Sequence, residues 1–183
     1  GSYEINDPLQ LAAWVQPTLI PEDHPLAGVN GVNNAILIEG DPIGEVMFYG
    51  PGAGSGPTAS AVVADILNVA GIKIMGDSTT GLDPLLSANP WRECSLVNRS
   101  EIIQKNYLRL KTQDSPGVIG KIGTIFGANK VSIQSIVQFD ASETGAEIVV
   151  ITHEVAQGQM QKSINEIKSL SEVNGVAAEM ACL

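Results

Sequence analysis

The most constraining feature of this sequence is a change of hydrophobic period within residues 105–183. Leu108 and Leu110 alternate with polar residues, which is the period of a half-buried strand. Val118 and Ile122 then begin a series of apolar residues at helical spacing, which continues to residue 126. Because a strand pattern will not form a stable helix face, each change of period marks the end of one element and the start of the next.

The rest of the segment continues the alternation. The sequence predicts a second strand over 131–139, a turn at 142–145, a third strand over 146–152, a second helix over 160–170 and a last strand over 176–180. This order is βαββαβ. Two helices then cover one face of a four-stranded antiparallel sheet, which is the ferredoxin-like α+β fold class.

The turn before the first helix has the composition of a ligand site. A helix N-terminus presents free N–H groups and a partial positive charge, so it attracts a carboxylate. An acidic side chain beside it could accept a hydrogen bond from an ammonium group. Capping of the helix by Asp114 and Ser115, and a left-handed conformation at Asn129, explain the same residues without a ligand. The candidate effector-binding residues are Asp114, Ser115, Gly117, Val118, Ile119, Asn129 and Gln138.

Residues 1–75 have a different texture, rich in Gly, Pro and Asn. They predict a short strand over 14–20, an antiparallel pair over 35–38 and 46–49, and a helix over 59–67. Residues 76–104 contain two prolines and many turn formers and predict a linker. The predicted organisation is therefore a partial α+β segment over 1–75, a linker over 76–104 and a compact domain over 105–183.

A glycine-rich turn joins the second predicted strand of that segment to its helix. Bare backbone amides in such a turn can approach a phosphate or a flat ring. The dinucleotide fingerprint G-x-G-x-x-G is not met, because Ser55 stands where the third glycine belongs. Close packing of the turn explains the glycines equally well. The candidate cofactor-binding residues are Gly50, Gly52, Ala53, Gly54 and Thr58.

Charge and composition exclude several other functions. The formal net charge is −10, and the first hundred residues hold eleven acidic against three basic residues. Neither half carries a basic patch able to bind nucleic acid or an anionic membrane. Two cysteines are too few for a disulfide framework, and no Cys/His group has metal-ligand spacing, so no metal site is predicted. The sequence also lacks an apolar run of membrane-spanning length and a secretory signal, which favours a cytoplasmic location.

The second segment resembles a known family. The stretch YLRLKTQDSPGVIGKIGTIFGANKVSIQSIVQ is similar to the opening of an ACT domain, and the resemblance extends over about 106–182. It lies in the D-x-P-G-V turn within a βαββαβ frame and in the asparagine at the helix end. ACT domains commonly bind small regulatory ligands, often amino acids, at interfaces between paired domains. The resemblance therefore implies an amino-acid effector and a homodimer.

The first segment resembles a second family over about 14–70. The motifs P-T-L-I-P, H-P-L-A, V-N-G-V-x-N-A-I, M-F-Y-G-x-G-A-G and P-T-A-S-A-V occur in the order found in homoserine dehydrogenase. That resemblance implies NAD(P)-dependent interconversion of L-aspartate 4-semialdehyde and L-homoserine, with L-threonine as the natural effector. It places residues 50–54 near the NADP or NAD cofactor. It assigns proton transfer to a lysine upstream rather than to His24, the one histidine in this segment.

Parts of a complete enzyme of that family are not found in this sequence. There is no dinucleotide fingerprint, and no lysine precedes Lys73. We therefore expect a C-terminal fragment with no catalytic residue of its own, no dehydrogenase activity and no bound cofactor. Apolar positions of the 57–70 helix should be exposed, and they add a second surface through which the chain could dimerise. The alternative is a non-enzymatic ACT-type amino-acid sensor or dimerisation module; aspartokinase or another ACT-containing enzyme is a further one.

Overall fold

The computed structural model describes residues 1–6, 9–75, 93–142 and 145–183. Contacts divide the chain into two units. The first unit contains residues 1–20 and 93–183, and the second begins at Pro21 and is described as far as residue 75. The helices and strands, in chain order, are β1 (Ser2–Asn6), β2 (Leu9–Ala13), β3 (Thr18–Leu19), β4 (Asn33–Gly40), β5 (Gly44–Pro51), α1 (Ser55–Met75), β6 (Ser95–Leu96), β7 (Ile103–Thr112), α2 (Val118–Ala128), β8 (Ile133–Ser142), β9 (Gly145–Thr152), β10 (Val155–Ala156), α3 (Gln157–Ile167) and β11 (Val173–Cys182).

The main sheet of the first unit has the predicted topology. Its four long strands lie in the order β11-β7-β9-β8, and each neighbouring pair is antiparallel. The short strand β10 also pairs with β7. The sequence predicted the four long strands and both helices within a few residues of their observed ends. The ferredoxin-like α+β fold class is therefore confirmed.

A single apolar core lies between this sheet and its two helices. Alternate residues of β7 and β9 point into it, and the fully buried side chains include Leu108, Leu110, Ile148 and Val150. Both helices present an apolar stripe to these strands, as their spacing predicts. The helix residues of the core are Val118, Ile122 and Phe126 of α2 and Met160, Ile164 and Ile167 of α3.

The opposite face of the sheet is less covered. Val137 and Phe139 of β8 are 46% and 54% exposed, and their cross-strand partners on β9 are Val149 and Glu147. The Glu147 carboxylate also forms an ion pair with the Arg109 guanidinium. Its hydrogen bond and its charge raise the pKa of Arg109. β8 is the last strand on its side of the sheet, so its outer backbone groups have no strand beside them in the described chain.

The N-terminal residues contribute to the same unit. β1 and β2 form an antiparallel hairpin, and β2 pairs in parallel with β6. β3 extends the main sheet by pairing in parallel with β11. The predicted strand over 14–20 is wrong except at Thr18–Leu19. Pro17 has no N–H for a sheet ladder, and the side chain of Val15 is fully exposed, so neither residue fits a paired strand.

Part of the predicted linker lies within this unit. Residues 93–104 contain β6, a 3-10 turn at Arg99–Glu101 and the first residues of β7. The turn packs against the start of α3, where a Cβ on Gly158 would lie 3.2 Å from the Ser100 carbonyl oxygen. Residues 76–92 of the predicted linker, and residues 143–144 of the predicted turn, lie outside the described residues.

The second unit consists of one hairpin and one long helix. β4 and β5 pair antiparallel along their full length, from Asn33 opposite Pro51 to Gly40 opposite Gly44, as the sequence predicted for their central residues. α1 has 21 residues and is longer than its predicted core at 59–67. Its large apolar side chains are 52% to 66% exposed at five positions, namely Val62, Val63, Ile66, Leu67 and Val69.

The described residues contain no helix that is both long and apolar enough to span a membrane. They also contain no group of three or more His, Cys, Asp or Glu side chains arranged to hold a metal ion.

Candidate functional site

The start of α2 forms an open turn with a left-handed residue at its head. Gly117 is the N-cap, and its φ of 89° lies in the region that favours glycine. Glycine at this position cannot cap the helix with a side chain. The first intrahelical bond runs from the Lys121 N–H to the Gly117 carbonyl oxygen at 3.0 Å. The amides of Val118, Ile119 and Gly120 therefore lie ahead of the helical ladder.

Two predicted site residues meet beside this turn. The Gln138 side chain donates from Nε2 to Asp114 Oδ1 at 3.1 Å, and both side chains are exposed. This is the hydrogen bond that the structure gives the Asp114 carboxylate, so Asp114 does not cap α2. The Asp114 carboxylate and the Gln138 amide thus bring acceptor and donor groups to the turn that leads into α2, which suits a small zwitterion.

The remaining predicted residues of this turn contribute backbone rather than side chains. The Val118 side chain is 4% exposed and belongs to the core, while Ile119 is 39% exposed. The Val118 N–H has one weak contact, to the Ser115 carbonyl oxygen at 3.5 Å. These residues can therefore bind a carboxylate through their amides without disturbing the core.

Asn129 lies at the other end of α2. Its side chain donates from Nδ2 to the Ile125 carbonyl oxygen at 3.1 Å and to Glu166 of α3 at 3.0 Å. Its φ is −94°, so the left-handed conformation predicted as an alternative for Asn129 is wrong. Lys130, the next residue, has φ 59° instead. Asn129 is 6% exposed and joins the two helices within one copy of the domain.

An ion pair lies near the first turn of α2. Lys121 donates to the Glu172 carboxylate, which lies just before β11, and this hydrogen bond is the largest cause that lowers the pKa of Glu172. The backbone of the same region is tied down, since the Gln113 N–H donates to the Glu172 carbonyl oxygen at 2.8 Å. Neither side chain was among the predicted site residues. The sequence feature that could have pointed to Lys121 is its position one helical turn after Gly117.

The glycine-rich turn lies at the junction of β5 and α1, where the sequence placed it. All five candidate cofactor-binding residues are close together there, and Gly54 has φ 122°. The Thr58 N–H donates to the Gly54 carbonyl oxygen at 3.1 Å as the helix begins. Most of the turn, from Pro51 to Gly56, is exposed.

Gly52 differs from its neighbours in the turn. A Cβ on Gly52 would lie 1.6 Å from Asn34 Nδ2, and the Gly52 N–H donates to the Val32 carbonyl oxygen at 3.0 Å. Packing within the second unit therefore explains this glycine. Gly50 has open space around it, and Gly54 needs its positive φ. The exposed part of the turn, at the start of a 21-residue helix, fits one edge of a nucleotide site.

His24 has a structural contact in this unit. Its Nδ1 atom accepts from the Leu26 N–H at 3.2 Å and caps the 3-10 helix Pro25–Gly28. That bond gives His24 a structural role at the start of this 3-10 helix.

Comparison with known proteins assigns both segments. The family model described as homoserine dehydrogenase matches residues 3–67, and the ACT domain model matches residues 106–172. A homoserine dehydrogenase of Synechocystis is 46% identical over 98% of this chain and 41% of its own length. One of Bacillus subtilis is 33% identical over 93% of this chain and 39% of its own. The crystal structure of a homoserine dehydrogenase from Thiobacillus denitrificans has a TM-score of 0.81 at 30% identity, covering 100% of this chain and 41% of that one.

The ACT family model and the order of the four long strands define the main part of the first unit as an ACT domain. The chain belongs to the homoserine dehydrogenase family. It spans about two fifths of the length of the curated relatives it matches. The match over residues 3–67 disfavours the alternative of a sensor without an enzyme segment, and it disfavours aspartokinase.

Proposed function

We propose that this chain is the regulatory portion of a homoserine dehydrogenase, and that its ACT domain binds an amino-acid effector. The parent reaction is the NAD(P)-dependent interconversion of L-aspartate 4-semialdehyde and L-homoserine. The observation that carries the effector proposal is the pair Asp114 and Gln138, 3.1 Å apart beside the uncapped amides of α2. The amides receive the effector carboxylate, and Asp114 accepts from its ammonium group.

L-Threonine is the effector we favour, because the family resemblance implies a pathway that leads to it. Its hydroxyl group can bond to the Gln138 amide, which both donates and accepts. Ser115 and Gly117 complete the turn through their backbone, and the small Gly117 leaves room for the ligand carboxylate.

A homodimer would complete this site. α2 has eleven residues and is about 16 Å long, so Asn129 cannot touch an amino acid held at Asp114 of the same copy. β8 is an uncovered edge of ten residues without lysine or proline, which is the kind of edge that pairs with another strand. Antiparallel pairing of two β8 edges would set two α2 helices side by side in opposite directions. Asn129 of one copy would then lie near Asp114 of the other.

The nicotinamide cofactor of the parent enzyme would be contacted on one edge only by this chain. Gly50, Ala53, Gly54 and Thr58 are the residues that fit it, through exposed backbone and one hydroxyl. The cofactor supplies the hydride chemistry, and these residues would only position it. We also propose that the exposed face of α1 is covered in the relatives by the part of their length that this chain does not span. A cytoplasmic location completes the proposal.

Isothermal titration of this chain with L-threonine tests the effector proposal. We expect saturable binding of L-threonine, weaker or absent binding of L-serine, L-methionine and L-lysine, and at least a tenfold loss of affinity in Asp114→Ala. Glu154→Ala, which removes an exposed carboxylate between β9 and β10, is the matched control and should bind normally. Equal affinity of Asp114→Ala and the unsubstituted chain would contradict the site, and absence of any binding would contradict the effector.

Light scattering tests the dimer. Val137→Lys places a charge in the middle of β8 and should convert a dimer into a monomer while lowering threonine affinity. Val15→Lys is the control, because that side chain is already fully exposed. A monomeric mass for the unsubstituted chain at every concentration, with threonine present, would contradict the pairing.

A further inference from the structure

Four amide side chains form a hydrogen-bonded chain across one end of the first unit. Gln16 Nε2 donates to Gln104 Oε1 at 2.8 Å, and Gln104 Nε2 donates to Asn106 Oδ1 at 3.3 Å. Gln157 Nε2 donates to the same Asn106 oxygen at 2.9 Å. These hydrogen bonds connect Gln16 with Gln157, which lies 141 positions later in the sequence, through the side chains of Gln104 and Asn106.

Asn106 is the fixed centre of this chain. It is 1% exposed, its backbone N–H donates to Thr152 Oγ1 at 3.1 Å, and its Nδ2 donates to the Gln104 carbonyl oxygen at 3.1 Å. The Asn106 Oδ1 atom accepts two hydrogen bonds, and removing either donor costs free energy because the oxygen is buried. The strength of the remaining hydrogen bond then changes, since hydrogen bonds in one network polarise each other. The loss of Gln157 should therefore alter the hydrogen bonds of Gln104 and Gln16.

The two ends of the chain belong to different parts of the protein. Gln157 is the first residue of α3 in the ACT domain, and its N–H donates to the Ile102 carbonyl oxygen at 2.9 Å. Gln16 comes just before β3, which lies within the segment that matches homoserine dehydrogenase. β3 is held on β11 in parallel register, with the Leu183 N–H donating to the Leu19 carbonyl oxygen at 3.0 Å. Two residues after β3 the chain enters the second unit at Pro21.

We propose that Gln16, Gln104, Asn106 and Gln157 are an amide relay that couples the first turn of α3 to the docking of β3. Through the relay, a change in the ACT domain alters how firmly β3 pairs with β11. Displacement of β3 likewise alters the first turn of α3. Its regulatory use rests on the proposed function, because it needs an effector that changes the ACT domain. The coupling itself does not depend on any effector.

A double-mutant cycle on this chain tests the relay. Gln16→Ala, Gln157→Ala and their combination are compared by denaturant unfolding of the first unit. We expect the unfolding constant of the double variant to differ at least threefold from the product of the two single effects. Gln113→Ala combined with Gln157→Ala is the matched control, because Gln113 is an exposed glutamine that bonds to the Ser171 carbonyl oxygen instead. Additivity of the Gln16 and Gln157 effects would overturn the relay.

Gln104→Met separates the relay from general loosening of the domain. This substitution keeps the side-chain length and removes both hydrogen bonds of the middle member. In its background the Gln16 and Gln157 effects should become additive. Coupling that persists unchanged would show that it runs through the backbone and would overturn the assignment to these side chains.

Hydrogen exchange of the Leu183 amide gives a direct view of β3 docking. We expect exchange at Leu183 to be at least threefold faster in Gln157→Ala than in the unsubstituted chain, and unchanged in Gln113→Ala. An unchanged rate in Gln157→Ala would overturn the proposal. These measurements contain no threonine, so absence of threonine binding would contradict the effector proposal and leave the result for the relay intact.

Discussion

The two helices α1 and α2 are both apolar, but they differ in how they are covered. The apolar stripe of α2 is almost completely buried against β7 and β9, and Ile122 and Phe126 are fully inaccessible. Ile66 and Leu67 of α1 are 60% and 66% exposed. Local sequence therefore predicts that each segment is helical, but it does not predict which surface covers the helix. α2 has its partner within the described chain, whereas the described residues leave the apolar side chains of α1 exposed.

The largest expected effect is in the core of the ACT domain. Phe126→Ala removes a fully buried ring and should lower the free energy of unfolding of the first unit by about 3–5 kcal/mol. Leu67→Ala on α1 should change the stability of the second unit by about 0.5 kcal/mol or less, because surface substitutions have small effects. Urea unfolding followed by signals from each unit measures both. Equal effects would break the comparison.

Gly52→Ala should give the next largest effect, within the second unit. The new Cβ would collide with the Asn34 side-chain amide, so we expect a loss of about 1–3 kcal/mol or a displaced turn. Gly50→Ala is the control, because no atom lies within 4 Å of its Cβ position. The rate of limited proteolysis at residues 50–56 reports the change. Equal proteolysis of the two variants would contradict the packing role of Gly52.

Asn129→Ala sharpens the comparison inside the ACT domain. It removes the bonds that join the end of α2 to Glu166 and to the Ile125 carbonyl oxygen, and should cost about 1–3 kcal/mol. Asn165→Ala, at an exposed position of α3, should cost much less. Thermal unfolding of the two variants measures the difference. An Asn129→Ala variant with the unfolding temperature of the unsubstituted chain would contradict the structural role of the two hydrogen bonds.

The smallest expected effect depends on pH. The pKa of Glu172 is lowered in the folded state, chiefly by its hydrogen bond with Lys121, so the folded protein favours the ionised carboxylate. Its contribution to stability is present above the unfolded pKa and is lost as pH falls through the folded pKa. Glu172→Gln should therefore be slightly less stable than the unsubstituted chain near pH 7 and equal to it in strong acid. A difference that does not change between pH 7 and pH 2 would contradict this origin.

The predictability of each unit follows from the same comparison. Alternation in β7 and β9 and the stripe of α2 could be predicted because local period and tertiary burial agree. β1, β2 and β6 were not predicted. β1 and β2 are neighbours in the sequence but have only five residues each, and β6 has two residues that pair with β2 from 85 positions away. The turn at Asp114 was predicted from its composition. The hydrogen bonds from Asn129 to Glu166 of α3 and from Gln16 to Gln104 join residues far apart in the sequence, so no local pattern could predict them.

Residue-resolved hydrogen exchange of this chain, with and without L-threonine, tests the account most directly. It predicts slow exchange throughout β7, β9 and α2, fast exchange in α1, and slowing by threonine at Val118, Ile119 and along β8. Protection of α1 equal to that of α2 would contradict the contrast between the units. Unchanged exchange at residues 114–119 with saturating threonine would contradict the proposed effector site.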